Sequence, residues 1–112
     1  SEKRQKQALD LYYDLLTLKE PPMRILFLIL RQFQKLMLIK ELSGQGADSR
    51  TIASKAGMPE FAVRKNQGMA GNFTMQQIRE AIEDGVEFEE SVKSGRMNDR
   101  IAVELLIVKC SQ

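Results

Sequence analysis

The segment from Met23 to Leu42 constrains the fold of this chain more than any other part of the sequence. Its apolar residues cover nearly the whole circumference of a helix: Met23, Ile25, Leu26, Phe27, Leu28, Ile29, Leu30, Phe33, Leu36, Met37, Leu38, Ile39 and Leu42. A helix that is apolar on every side has to be surrounded by other elements. The segment is therefore predicted to be the central helix of a packed domain.

The rest of the chain also favours helices. The sequence holds only 7 glycines and 3 prolines, and the regular turn spacing of strands is absent. Pro22 suits the first turn of the central helix, because the fixed φ of proline fits there and its missing N–H costs nothing. We predict an all-α fold, a compact bundle of about five to six helices.

Apolar spacing and capping residues set the bounds of the other predicted helices. They run from about Lys3 to Leu18, from Asp48 or Ser49 to Ala56, from Met58-Pro59 to about Gly71, from a Thr74-x-x-Gln77 capping box to Ser94, and from Asn98 onward. The last two are predicted to bury Ile78, Ala81, Ile82, Val86 and Val92, and Ile101, Ala102, Leu105, Leu106 and Val108.

Composition argues against catalysis. The chain has no histidine, which removes the imidazole base, the Ser-His-Asp and Cys-His pairs and the histidine ligand of zinc. Its single cysteine, Cys110, cannot form an internal disulfide, which suits a reducing compartment. We expect no enzyme activity, no metal, no cofactor and no small-molecule substrate. We also expect a cytoplasmic location without membrane contact, because the longest apolar run, Ile25 to Leu30, is far too short to span a bilayer.

The net charge of +2 hides an uneven distribution. Residues 1–66 carry 12 basic and 7 acidic side chains, whereas residues 67–112 carry 5 basic and 8 acidic ones. The two halves are thus +5 and −3. Solvated helix faces would account for this, and so would complementary surfaces that bring neighbouring subunits together. On the second interpretation Glu83, Asp84 and Glu87 are candidate subunit-contact acids.

Residues 49–71 resemble a helix-turn-helix. Ala53, Gly57 and Val63 reproduce its small residue, turn glycine and buried aliphatic residue. The first turn of the second helix holds Glu60 and Phe61, of which the carboxylate repels phosphate and the ring is expected in the core. We interpret the motif as a structural hairpin. The alternative is a small DNA-binding protein, whose DNA contacts would be Arg64, Lys65, Asn66 and Gln67.

Taken in order, five segments resemble the C-terminal domain of the delta subunit of the bacterial DNA polymerase III clamp loader. They are Ala8-Leu9-Asp10 to Asp14-Leu15-Leu16, Pro22 with Ile25-Leu26 to Leu30-Arg31-Gln32-Phe33, Ile52-Ala53 with Gly57 to Lys65, Phe73-Thr74 with Ile78, and Val92 to Gly95 with Ala102 to Leu106. The stretch from Asp84 to Glu90 departs from the leucine-rich helix more usual in that family.

The resemblance implies a non-catalytic assembly domain. In such proteins this domain forms a collar with the ATPase subunits and delta-prime in a hetero-oligomeric ring that loads the sliding clamp during DNA replication. The resemblance also implies that the parent assembly belongs to a polymerase holoenzyme and that DNA is a partner indirectly, through the complex. Residues 1–112 would then be one helical domain, the C-terminal fragment of a longer multi-domain subunit, which agrees with a first residue, Ser1, that is not methionine.

One internal ion pair is also expected. Arg31 lies in the middle of the most apolar helix, and a buried guanidinium needs a carboxylate partner. Glu104 on the last helix is the candidate for that partner.

Overall fold

The computed structural model describes residue 13 and residues 19–111. Within these residues the chain forms five helices and no strand: α1 (Pro22–Gly44), α2 (Ser49–Ala56), α3 (Glu60–Ala70), α4 (Met75–Lys93) and α5 (Asp99–Cys110). The all-α prediction is confirmed. The helix predicted from about Lys3 to Leu18 lies outside the described residues, apart from Tyr13.

The chain divides into two compact units. The terminal unit consists of residues 1–30 and 81–112, and the central unit consists of residues 31–80. Helices α1 and α4 each contribute residues to both units, whereas α2 and α3 belong to the central unit and α5 to the terminal one. Each unit has its own hydrophobic core.

The core of the terminal unit joins the start of α1 to α4 and α5. Its buried residues are Ile25, Leu26, Phe88, Ala102, Val103, Leu106 and Ile107. Gly85 on α4 is buried against α1, and a Cβ added there would lie 2.8 Å from Leu30 Cγ. Such a distance is far below van der Waals contact, so glycine at this position is what lets Leu30 pack directly on the backbone of α4.

The core of the central unit holds the helical hairpin against α1. Ile39, Leu42, Ile52 and Val63 are buried together. Beside them the rings of Phe33 and Phe73 meet edge to face, with centroids 5.4 Å apart.

The predicted caps are confirmed. The Asp48 carboxylate accepts from the Thr51 backbone N–H at 2.8 Å, and Gly57 ends α2 with a left-handed φ of 67°. At the start of α4, Thr74 Oγ1 accepts from the Gln77 N–H at 3.0 Å, while Gln77 Oε1 accepts from the Thr74 N–H at 2.8 Å. This reciprocal pair is the predicted capping box.

The prediction that α1 is enclosed on all sides is wrong. Its buried residues are Ile25, Leu26, Leu30, Phe33, Leu36, Ile39 and Leu42. Phe27, Leu28 and Leu38 are exposed. Met23 and Ile29 are partly buried against the core, so the packed elements cover most of this helix but not its whole circumference.

The predicted core faces of α4 and α5 are wrong in part. Val86, Ile101 and Leu105 are exposed, while Phe88, Val103 and Ile107 are buried. Both helices carry apolar residues on more than one side, so the apolar pattern alone does not fix which side turns inward.

Among the described residues, none of the helices could span a lipid bilayer.

Candidate interaction surfaces

Side-chain hydrogen bonds join one side of helix α3, its inner side, to α1. Gln32 Nε2 donates to Asn66 Oδ1 at 2.8 Å, and Gln67 Nε2 donates to Ser43 Oγ at 3.2 Å. Asn66 Nδ2 also donates to the Ala62 carbonyl at 2.9 Å. The spacing of these residues with Val63 and Ala70, which are buried, defines one face of the helix.

These contacts separate the four residues considered for DNA contact. Asn66 and Gln67 are half-buried and bonded within the central unit, whereas Arg64 and Lys65 lie exposed on the other side. Arg64 Nη2 is 3.2 Å from the Glu60 carboxylate one turn earlier. The four therefore do not form one row that could follow a phosphate backbone, and the DNA-binding alternative is not favoured. The i, i+3, i+4, i+7 spacing of residues 63, 66, 67 and 70 was the signal for this in the sequence.

The expectation that Phe61 belongs to the core is wrong. Its side chain is 73% exposed, the most exposed large apolar residue in the described part of the chain. Val63, two residues after Phe61, lies in the core instead. A separation of two residues places the two side chains on opposite sides of the helix. Phe61 therefore lies on the outer side of α3.

The acids predicted to contact a subunit differ in their surroundings. Glu83 and Glu87 are exposed on α4. Asp84 is half-buried, and its Oδ1 lies 3.4 Å from Lys109 Nζ on α5. Lys109 Nζ is also 5.5 Å from the centroid of the Phe88 ring. Asp84 thus forms an ion pair between α4 and α5. Of the three predicted acids, only Glu83 and Glu87 are exposed at the surface.

The division of charge follows the two structural units. The central unit carries eight basic and four acidic residues, a net +4, while the terminal unit carries nine basic and eleven acidic residues, a net −2.

The described residues hold no group of three or more acidic or cysteine side chains arranged to bind a metal ion.

The predicted pair of Arg31 and Glu104 stays a prediction. Arg31 is exposed in the central unit, so the argument that its burial requires an internal carboxylate does not apply. Glu104 is half-buried in the terminal unit, where its Oε1 accepts a hydrogen bond from Tyr13 Oη at 3.2 Å.

The thiol of the single cysteine is expected to react slowly in the folded protein. Burial is the main cause that raises the pKa of the Cys110 thiol to about 12; the Asp84 charge adds to this shift and Lys109 opposes it. Because only the thiolate reacts with iodoacetamide, a higher pKa slows alkylation. At pH 8 we expect native alkylation to be at least about 100-fold slower than in guanidinium, as the thiolate fraction falls tenfold for each unit of pKa.

Mass spectrometry of quenched samples measures this rate, and the reading is unambiguous because the chain has one cysteine. Equal alkylation rates in native buffer and in denaturant would show that the thiol is accessible and that its pKa is not raised.

The described residues thus form an all-helical structure with a hydrophobic core in each of two units and with apolar and charged side chains exposed on the helices. Its sequence matches the C-terminal domain of the DNA polymerase III delta subunit over residues 1–110, and the chain belongs to this family. The resemblance found in the five sequence segments is confirmed.

A curated protein sequence and a solved structure, both of a delta protein from Bacillus subtilis, support the assignment. The DNA polymerase III subunit delta of Bacillus subtilis (strain 168) is 27% identical over 107 residues, which cover 96% of this chain and 31% of that protein. A solved structure of the Bacillus subtilis DNA clamp loader delta protein superimposes with a TM-score of 0.89 and covers 97% of this chain and 32% of that one. The chain therefore spans about a third of the length of these relatives.

Proposed function

We propose that this chain is a non-catalytic assembly domain, the collar domain of a clamp-loader delta subunit. It would help hold together the complex that loads the sliding clamp onto DNA during replication. The observation that carries the proposal is the family match over residues 1–110, together with relatives named as delta subunits. The exposed apolar side chains of α1 and α5 also support it, since uncovered apolar surface is typical of interaction sites.

The partners in this proposal are the ATPase subunits and delta-prime, in a hetero-oligomeric ring within the cytoplasm. Residues 1–112 would act as one helical domain at the C-terminal end of a longer subunit. Contact with DNA would be indirect, through the complex. A ring of unlike neighbours needs two different surfaces on each member, since head-to-tail contacts join unlike faces.

Charge offers a way to make those two surfaces different. The central unit is +4 and the terminal unit −2, and Glu83 and Glu87 are exposed acids of the latter. Complementary charge at the rim of an interface raises the rate of association and makes it depend on salt. We propose that Glu83 and Glu87 meet a basic surface of a neighbouring subunit.

Charge reversal tests this. In the full chain, Glu83→Lys/Glu87→Lys is expected to weaken association with the ATPase subunits and delta-prime about tenfold at low salt, with the difference shrinking as salt screens the charges. Asp84 is kept, because its reversal would also break the tie to Lys109. Sedimentation velocity over a range of salt concentrations measures the effect.

Glu41→Lys is the control, because it makes the same kind of change at an exposed acid of the central unit. If association and its salt dependence are the same for the double variant and wild type, charge pairing through α4 is wrong. If wild type does not associate with these subunits at all, the assembly function itself is wrong.

A further inference from the structure

The outer side of α3 combines features that neither core explains. Phe61, Arg64, Lys65 and Gly68 recur at i, i+3, i+4 and i+7, and all four are exposed. This spacing places them along one face of the helix, opposite the hydrogen bonds to α1. We call this face the α3 outer face.

Phe61 is the apolar centre of the α3 outer face. At 73% exposure its ring contributes little to the core of the central unit, which Val63 fills from the same helix. Large aromatic side chains dominate the energetics of protein interfaces when a partner covers them. An aromatic ring at this position is therefore suited to binding a partner.

Gly68 is a second and independent feature of the same face. Glycine is less favourable than alanine inside a helix. A Cβ added to Gly68 would meet no atom within 4 Å, and its φ is not positive. Gly85 is different, because Leu30 occupies the space of a Cβ there. Nothing in the described residues requires a glycine at position 68, but a partner whose backbone approaches the helix closely would require one.

Charge indicates the chemistry of the partner. Arg64 and Lys65 lie between Phe61 and Gly68 in a unit of net charge +4, which favours an acidic partner. Nucleic acid fits less well than protein, because the Glu60 carboxylate, paired with Arg64, lies next to Phe61 and would repel phosphate. Carboxylate side chains can instead be placed to reach Arg64 and Lys65 while they avoid Glu60.

We propose that the α3 outer face is the docking surface for an acidic segment of a neighbouring clamp-loader subunit. Phe61 inserts into an apolar pocket of the neighbouring subunit. The backbone of that subunit's acidic segment lies close to Gly68, and the carboxylates of the segment pair with Arg64 and Lys65. The inference rests on the proposed assembly function and names the surface through which it works.

Two substitutions in the full chain test the inference with opposite readouts. Gly68→Ala is expected to raise the melting temperature by about 2–6 °C, because alanine favours the helix, and yet to weaken association about tenfold. Phe61→Ala is expected to have a melting temperature within about 2 °C of the wild-type value and to weaken association tenfold or more. Circular dichroism measures the first quantity, and titration of the labelled protein with the ATPase subunits and delta-prime measures the second.

Gly44→Ala is the matched control, since Gly44 lies in α1, is exposed and has equal room for a Cβ. It should associate like wild type. If Phe61→Ala and Gly68→Ala also associate like wild type, the α3 outer face is not the docking surface, although the assembly function stands. If wild type fails to associate, the assembly function falls and the inference falls with it. Loss of binding to a single-stranded oligonucleotide, with subunit association unchanged, would assign the face to nucleic acid and overturn the inference.

Discussion

Replacing Leu106 by alanine should lower the free energy of unfolding by about 2–5 kcal/mol, the range for a buried leucine whose site becomes a cavity. Leu106 is 0% exposed in the core of the terminal unit, among Leu26, Val103 and Ile107. The loss combines the transfer energy of the removed methyl groups with the contacts their neighbours no longer make. Urea denaturation followed by circular dichroism measures it.

The adjacent residue provides the control. Leu105 is 41% exposed, and alanine is at least as favourable as leucine in a helix, so Leu105→Ala should change the stability by less than about 1 kcal/mol. The two substitutions remove the same atoms at neighbouring positions of α5, and they differ only in the side of the helix. Equal losses, or a larger loss at Leu105, would show that α5 is oriented differently.

Gly85→Ala is expected to destabilise the protein although alanine favours the helix. The propensity gain is about 1 kcal/mol, but the new methyl group would lie 2.8 Å from Leu30 Cγ. Leu30 is itself buried, so it cannot move into solvent, and overpacking of this kind costs about 1–3 kcal/mol. The net result is a loss of up to about 2 kcal/mol, measured by thermal and urea denaturation.

A double-mutant cycle tests the cause of that loss. In a Leu30→Ala background the obstructing side chain is absent, so adding alanine at position 85 should be neutral or stabilising. If Gly85→Ala destabilises both backgrounds equally, the effect does not come from the contact with Leu30.

Local structure was predicted well from the sequence because it depends on neighbouring residues. The caps at Asp48 and Thr74 and the turn at Gly57 use hydrogen bonds and backbone angles that span three or four residues. Such interactions are encoded by short patterns whatever the rest of the chain does. The predicted helix bounds in residues 19–111 accordingly agree with the structure to within a few residues.

The orientation of the helices was predicted less well. Helices α1 and α5 have apolar residues on several sides, so Phe27, Ile101 and Leu105 looked as suitable for the core as Leu26, Val103 and Ile107. Which side turns inward depends on contacts far apart in sequence, such as Leu30 with Gly85. Gly85 was assigned no structural role from the sequence, and it is buried against Leu30.

The candidate surfaces show the same limit. The acids of α4 were identified from composition, but the tie between Asp84 and Lys109 is a contact between helices that no short pattern encodes. Phe61 was assigned to the core because aromatic residues are usually buried, whereas Val63 holds that position and leaves the ring outside.

Native mass spectrometry of the full chain, mixed with the clamp-loader ATPase subunits and delta-prime, tests the central claim most directly. We expect a hetero-oligomeric complex whose mass includes this chain together with those subunits, at protein concentrations in the micromolar range and moderate salt. A spectrum in which the chain stays outside the complex, either free or joined only to copies of itself, would contradict the assembly function.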